Sequence, residues 1–85
     1  MTESQSVRLV LFAAAREAAG RSNDSFPLCS LDDLLLAAQS RYGEEFSRVL
    51  AISRVWVNGE EPGLNTSALL RDGDEVAVLP PVSGG

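Results

Sequence analysis

Residues 72–85 have the sequence DGDEVAVLPPVSGG. The aspartate and glycine at its start are typical of a tight turn, and the alternating valines of residues 75–79 predict a strand. Pro80 and Pro81 end that strand, because proline has no backbone N–H to donate to a neighbouring strand and its φ angle is fixed. The segment therefore predicts a last strand from which a stiff tail, residues 80–85, extends.

The chain ahead of this segment begins with a strand and a short helix. Residues 7–12 carry apolar side chains on one face and predict a strand. The alanine-rich residues 13–19 predict a short helix, with Gly20 just after its end. Residues 22–29 predict a weaker strand, and its internal Pro27 indicates a position at the edge of a sheet.

The principal helix is predicted between Ser30 and Gly43. Ser30 has the side chain of an N-cap, and two aspartates follow in the first turn, where the helix dipole favours negative charge. Gly43 ends the helix, and residues 44–50 add one or two further helical turns. One apolar stripe at helical spacing is expected to be buried, namely Leu31, Leu34, Leu35 and Ala38.

A third strand is predicted at residues 54–58. The Asn58-Gly59 pair at its end is typical of a hairpin turn with positive φ at both residues. Residues 61–70 are expected to be irregular, with a short strand or turn.

The order of these elements is strand, short helix, strand, long helix, strand, loop and strand, which predicts an α+β domain. A β-grasp satisfies it: a mixed sheet of four to five strands packed on one main helix, with the first and last strands side by side in the middle. We expect a single domain over residues 1–85, with a loose lead-in at residues 1–6 and an extended tail at residues 80–85. A central last strand gives that tail a rigid base.

Composition argues against several classes of function. Twelve acidic against seven basic residues give a net charge of −5 at pH 7, which disfavours nucleic-acid binding. No apolar run reaches the roughly 20 residues of a membrane span, so no membrane association and a cytoplasmic location are expected. Cys29 is the only cysteine and there is no histidine, so neither a metal site nor an independent enzyme is expected.

The glycine pair Gly84-Gly85 suits a tail that works inside another protein. Glycine has no Cβ, so it passes through a narrow channel and leaves the terminal carbonyl unhindered. The five residues beyond Pro80 span roughly 17 Å when extended. The terminal carboxylate is ionised at pH 7 and is inert to acyl transfer until a leaving group such as adenylate is attached. Since the chain has no base or phosphate-binding loop for that step, it is expected to be a co-substrate of another enzyme.

Two segments resemble the small subunit of molybdopterin synthase. Residues 11–20, LFAAAREAAG, are similar to that family's F-A-x-x-R-E-x-x-G segment, and residues 72–85 are similar to its ending D-G-D-E-V-A-x-x-P-P-V-S/T-G-G. Residues 21–70 fit the general pattern of that family but contain none of its motifs. The resemblance implies a ubiquitin-like sulfur carrier in molybdenum cofactor biosynthesis. Such a carrier is not an enzyme by itself but the sulfur-donating, non-catalytic subunit of a sulfurtransferase.

The resemblance also implies the partners and the role of each tail residue. In that family an E1-like activating enzyme uses ATP to adenylate the terminal glycine, which becomes a thiocarboxylate, and the carrier itself binds no cofactor. Carried over, Gly85 bears the sulfur and Gly84 threads the pocket of the synthase large subunit. Val82 and Ser83 contact the large subunit or the activating enzyme. The recipient of the sulfur is cyclic pyranopterin monophosphate.

An apolar docking patch for these partners is expected beside the tail. Our candidates for it are Phe12, Val78 and Leu79, with Pro80-Pro81 leading into the tail. Phe12 and Val78 fit the protein core equally well, whereas Leu79 lies on the strand face opposite Val78. Trp56 is interpreted most simply as core or sheet-face packing.

Three alternatives remain open at this point. A sulfur carrier of the thiamine pathway shares the fold and the Gly-Gly end but not typically the longer Pro-Pro-Val-Ser-Gly-Gly ending. A ubiquitin-like modifier uses the same acyl-adenylate, although the absence of lysine argues against chains built on the protein itself. A β-grasp binding module with no covalent chemistry would tolerate a residue added after Gly85.

Overall fold

The structure is a computed structural model and describes residues 5–81. These residues form four strands and three helices. In chain order they are β1 (Ser6–Leu11), α1 (Ala13–Ala19), β2 (Asn23–Pro27), α2 (Leu31–Tyr42), α3 (Glu44–Ala51), β3 (Arg54–Val57) and β4 (Glu75–Leu79). The predicted lead-in is thus shortened at Ser6, which already belongs to β1, and its residues 1–4 lie outside the described residues.

The four strands form one mixed sheet in the order β2-β1-β4-β3. β1 and β4 lie parallel in the middle, and β2 and β3 pair antiparallel with them on either side. This confirms the predicted β-grasp arrangement, with Pro27 on an edge strand, where proline is tolerated. Residues 5–81 contain no fifth strand. Residues 61–70 contribute instead an isolated bridge between Ser30 and Leu69.

Alternation along the strands divides their side chains between a core face and an opposite face, which we call the outer face. On the central pair, Leu9 lies opposite Val76 and Leu11 opposite Val78, and all four are buried. The helices add side chains to the same core. The buried apolar residues are Val7, Leu9, Leu11, Ala15, Phe26, Leu31, Leu34, Ala38, Phe46, Val76 and Val78.

The helical layer contains the elements that the sequence predicts. The expected one or two turns after Gly43 form α3, a helix of eight residues. Its Phe46 is fully buried, so α3 packs into the core beside the main helix α2. Of the predicted stripe on α2, only Leu35 is half-buried rather than buried.

Ser30 and Gly43 set the ends of α2 as predicted. The Ser30 hydroxyl accepts a hydrogen bond from the Asp33 backbone N–H at 3.1 Å, which satisfies one of the free donors at the helix start. Gly43 has a φ of 101°, which a side chain with a Cβ rarely adopts. Its N–H donates to the Gln39 carbonyl at 2.9 Å, and its carbonyl accepts from the Ser47 N–H at 3.1 Å. One glycine therefore ends α2 and begins α3.

The Asn58-Gly59 turn forms with the predicted geometry, since φ is 52° at Asn58 and 82° at Gly59. Its hairpin stops after a single bridging pair. The Asn58 side chain ties the turn to the start of β4: its amide donates to Asp74 Oδ1 at 3.0 Å, and its oxygen accepts from the Glu75 N–H at 2.9 Å. The turn thereby helps to fix the strand that leads to the tail.

A cluster of hydrogen bonds joins the end of α2 to β2. The Asp24 carboxylate accepts from the Tyr42 hydroxyl at 2.6 Å and lies 3.0 Å from a guanidinium nitrogen of Arg21 and of Arg41. Burial alone would raise the pKa of Asp24, but Tyr42, the Ser25 N–H and the two arginines hold that pKa well below its usual range. The folded chain therefore stabilises the ionised form of Asp24.

Asp24→Asn is expected to lower the free energy of unfolding at pH 7 by about 2 kcal/mol, because the charged acceptor of this cluster is lost. A carboxyl whose pKa is lower in the folded chain contributes stability above its unfolded pKa of about 4 and loses it as the pH falls. Urea unfolding between pH 7 and pH 3 checks this. The Asn variant should show a shallower loss of stability below pH 4 than the unmodified chain, and Tyr42→Phe should lie between the two. Equal slopes would contradict the role of Asp24.

Candidate functional site

The tail begins on a strand that is held on both sides. β4 pairs with β1 along one edge and with β3 along the other. Pro80 follows it half-buried, and Pro81 is exposed. This confirms the rigid base that the sequence predicts. The predicted tail residues Val82, Ser83, Gly84 and Gly85 lie outside the described residues, so their roles stay predictions.

The outer face of the sheet carries an apolar strip that leads to this base. Val10 on β1 lies opposite Ala77 on β4, and Ala77 lies opposite Trp56 on β3. All three side chains are partly exposed. Leu79 is two residues beyond Ala77 and therefore on the same face. The strip thus runs from the middle of the sheet to the point where the tail leaves it.

A concavity of about 710 Å³ lies along β3 and β4 on this face, from Gly59 and Glu75 to Pro81 at the base of the tail, and we call it the docking concavity. Two charged residues, Arg54 and Glu75, line it together with apolar side chains. Those apolar residues are Phe12, Ile52, Trp56, Ala77, Leu79, Pro80 and Pro81. A mainly apolar hollow with a few charged groups is typical of a surface that a partner covers.

The predicted docking residues are brought together here, with one exception. Phe12 is 43% exposed, so of its two interpretations the surface position is the one observed, beside Leu79 and the prolines. The prediction is wrong for Val78, whose side chain is 0% exposed. Alternation along β4 turns Val78 to the core face and Leu79 to the outer face. The partner-binding role of the other residues stays a prediction.

Phe12 is held at this surface by an unusual backbone turn. Its N–H donates to the Val78 carbonyl at 3.3 Å, so the central pairing continues one residue past β1. Ala13 then has a φ of 50°, a left-handed conformation that costs a residue with a Cβ roughly 1–2 kcal/mol. The chain thereby enters α1 at once, and Phe12 stays at the end of the sheet next to the tail base.

A second groove, of about 490 Å³, adjoins the docking concavity. Its lining includes residues of α1, with Glu17 as a charged group, and the end of α3. Ile52, Pro80 and Pro81 line both hollows. The two prolines therefore stand between two apolar surfaces, either of which a partner that receives the tail would meet.

The two large apolar residues of the docking concavity that the sequence does not single out as docking residues are Trp56 and Ile52. Trp56 lies between Val55 and Val57, which pack against the core, so the two-residue period of a strand would have placed it on the outer face. Ile52 is 68% exposed just after α3. No local pattern indicates Ile52, because its position beside the tail depends on where α3 ends relative to β4.

The thiol of Cys29 is not among the groups that line the docking concavity. Burial raises the pKa of the Cys29 thiol, and the Asp33 carboxylate raises it further, so the nucleophilic thiolate is disfavoured at neutral pH. Within residues 5–81, no group of three or more histidine, cysteine, aspartate and glutamate side chains is placed to hold a metal ion. None of the helices in this part of the chain has the length and apolar character needed to cross a membrane.

Comparison with known proteins gives the family. Residues 9–85 match the model of the ThiS family. The molybdopterin synthase sulfur carrier subunit of Aedes aegypti is 37% identical over 93% of this chain and 88% of the relative. The subunit of the same name from Chlamydomonas reinhardtii is 33% identical over 93% of this chain and 98% of the relative.

Solved structures share the fold as well. SAMP1 from Haloferax volcanii aligns with a TM-score of 0.78 and 30% identity, covering 94% of this chain and 99% of that protein. A chain in the complex of subunits 1 and 2 of the molybdopterin-converting factor from Helicobacter pylori aligns with a TM-score of 0.70 and 25% identity, covering 94% and 99%. The chain therefore belongs to the ThiS family, and its curated relatives are sulfur carrier subunits of molybdopterin synthase.

Proposed function

We propose that this chain is the sulfur carrier subunit of a molybdopterin synthase and that Gly85 is its sulfur-bearing residue. The observation that supports this best is the position of Pro80 and Pro81, from which the tail continues. They follow the doubly paired strand β4 at the edge of an apolar concavity, and the family match runs through Gly85. A fixed base beside a docking surface lets a partner locate the tail without first ordering the rest of the carrier.

The carrier supplies an acyl group, and its partners supply the catalysis. An E1-like activating enzyme joins the Gly85 carboxylate to the AMP of ATP, and pyrophosphate leaves. A sulfur nucleophile then displaces AMP, and the product is a C-terminal thiocarboxylate. In the synthase this sulfur passes to cyclic pyranopterin monophosphate, and water restores the carboxylate. An acyl carbon that is attacked repeatedly must be unhindered, which a terminal glycine provides.

The synthase large subunit is the partner that we assign to the docking concavity. The Helicobacter pylori relative is in a complex with its subunit 2. Phe12 and Leu79 would be covered by such a partner, because they adjoin the base of the tail that it receives. The activating enzyme must receive the same tail, so the two partners are expected to compete for one carrier.

Intact mass spectrometry tests the carrier role directly. The chain is mixed with an activating enzyme, ATP and a sulfur source, and the mass increase that replaces one oxygen by sulfur is expected at Gly85. Omission of ATP should prevent it, since the carboxylate then has no leaving group. If no such product forms with an activating enzyme that loads a related carrier, the proposed function fails.

The final acceptor separates this function from the alternatives. A ubiquitin-like modifier passes its activated terminus to a lysine amine, and a thiamine-pathway carrier gives its sulfur to a different partner. The loaded chain is therefore incubated in parallel with the large subunit and pterin precursor, with thiamine-pathway partners, and with a lysine-bearing protein. We expect rapid loss of the thiocarboxylate only in the first mixture, with formation of the pterin dithiolene.

A further inference from the structure

Trp56 occupies the middle of the outer face on β3. It lies opposite Ala77, whose small side chain leaves the indole open to the docking concavity that both residues line with Leu79. The ring is partly exposed. A large, rigid aromatic surface in such a position is the type of group that dominates the binding energy of protein interfaces.

The indole nitrogen of Trp56 has no hydrogen-bond partner among residues 5–81. Nε1 is buried from water, and within residues 5–81 it is the only buried side-chain nitrogen or oxygen with no hydrogen bond. The Tyr42 hydroxyl, in contrast, donates to Asp24 at 2.6 Å. A buried donor without an acceptor destabilises the fold, because the hydrogen bond it made to water is not replaced. A partner that supplies an acceptor for the indole N–H would therefore remove this destabilisation.

We infer that Trp56 recognises the large subunit, which supplies the acceptor that the indole N–H lacks. Because the N–H is buried in the free chain, the indole must turn about its Cβ–Cγ bond on binding, so that the N–H faces the docking concavity. There a carbonyl or carboxylate oxygen of the partner accepts its hydrogen bond, and an apolar side chain of the partner covers the ring. This inference rests on the proposed function, in which the large subunit receives the tail.

The position of the concavity argues for this occupant. Leu79, Pro80 and Pro81 line it and also form the base of the tail, so a protein that encloses the tail covers the concavity with it. Arg54 at its rim is exposed and makes no ion pair within the described part of the chain. Its charge favours an acidic group of the partner at the tail end of the concavity, where Arg54 lies opposite Leu79, whereas Glu75 lines the other end.

The test removes the N–H and keeps the ring. Trp56 is replaced with 3-(3-benzothienyl)alanine, which has the shape of tryptophan with sulfur in place of N–H. The urea midpoint of unfolding is expected to rise, because an unsatisfied donor is gone, and the Kd for the large subunit to increase about fivefold, because the bond in the complex is gone. Trp56→Ala should weaken binding about 100-fold. Leu36→Ala, at an exposed position of α2 away from the outer face of the sheet, is the control and should leave Kd unchanged.

Opposite signs in the two measurements distinguish recognition from simple packing. A lower unfolding midpoint for the benzothienyl variant would show that Nε1 is already bonded in the free chain, and an unchanged Kd would show that the large subunit does not use it. If the variant loses affinity for the activating enzyme but not for the large subunit, then Trp56 recognises the activating enzyme instead. Each result overturns the inference. Failure of the proposed function is separate, because the unmodified chain would then neither accept sulfur nor bind the large subunit.

Discussion

One alanine added after Gly85 is expected to slow thiocarboxylate formation by roughly 1000-fold, because the reacting carbon must lie within a fraction of an ångström of its place in the activating enzyme. The extension moves the terminal acyl carbon by about 3.5 Å and places a Cβ beside it. The docking concavity is unchanged, so the extended chain should still bind its partners. Intact mass measured over time, with activating enzyme, ATP and a sulfur source, gives the rate of thiocarboxylate formation for the extended and for the unmodified chain.

Two further variants are compared with this one: a control with one alanine added at the other end of the chain, and a variant that changes the last residue without lengthening the tail. One alanine added before Met1 has the same added mass and should load at the unmodified rate. Gly85→Ala keeps the length of the tail and adds only a methyl group, so a loss of about 10- to 100-fold is expected. If the chain extended after Gly85 loads at the unmodified rate, loading does not depend on the position of the Gly85 carbon, and the assignment of Gly85 fails. A binding module without covalent chemistry is the better explanation if neither chain loads while both bind the partners equally.

The central strands and α2 are predictable because short-range rules decide them. Alternating apolar side chains specify β1 and β4, and the Ser30 cap and Gly43 specify the ends of α2. Since β4 has a partner on each side, the base of the tail follows from the same patterns. The predicted reach and chemistry of the tail depend on residues 82–85, which lie outside the described residues.

The surface around the tail is harder to predict, because one sequence does not distinguish an apolar side chain in the core from one that awaits a partner. Phe12 illustrates this, since its left-handed neighbour Ala13 keeps it at the surface. Strand alternation is sufficient to separate Val78, on the core face, from Leu79, on the outer face. Ile52 depends on the packing of α3, which is a tertiary property.

Leu79→Asp is expected to weaken binding of the large subunit by at least about 100-fold with little change in the fold, because a carboxylate that is hydrated in the free carrier loses its water against an apolar partner. In the free chain the new carboxylate lies across from Arg54 on the neighbouring strand, which favours it. Val78→Asp is the contrasting variant. It buries an unpaired charge in the core and should lower the free energy of unfolding by more than about 4 kcal/mol.

The alanine variants of the same two neighbours keep this comparison usable where the aspartate variants do not fold. Val78→Ala should lose about 2 kcal/mol of stability through the cavity it leaves, yet bind normally at a temperature where it is folded. Leu79→Ala should show the reverse, with nearly normal urea unfolding and a Kd for the large subunit about tenfold higher. If both Leu79 variants bind normally, the large subunit does not dock on the outer face of the sheet. The groove between α1 and α3 is then the docking surface, because Pro80 and Pro81 line that groove as well. A substitution at Glu17 would then weaken binding, whereas docking on the outer face of the sheet requires Glu17→Ala to bind like the unmodified chain.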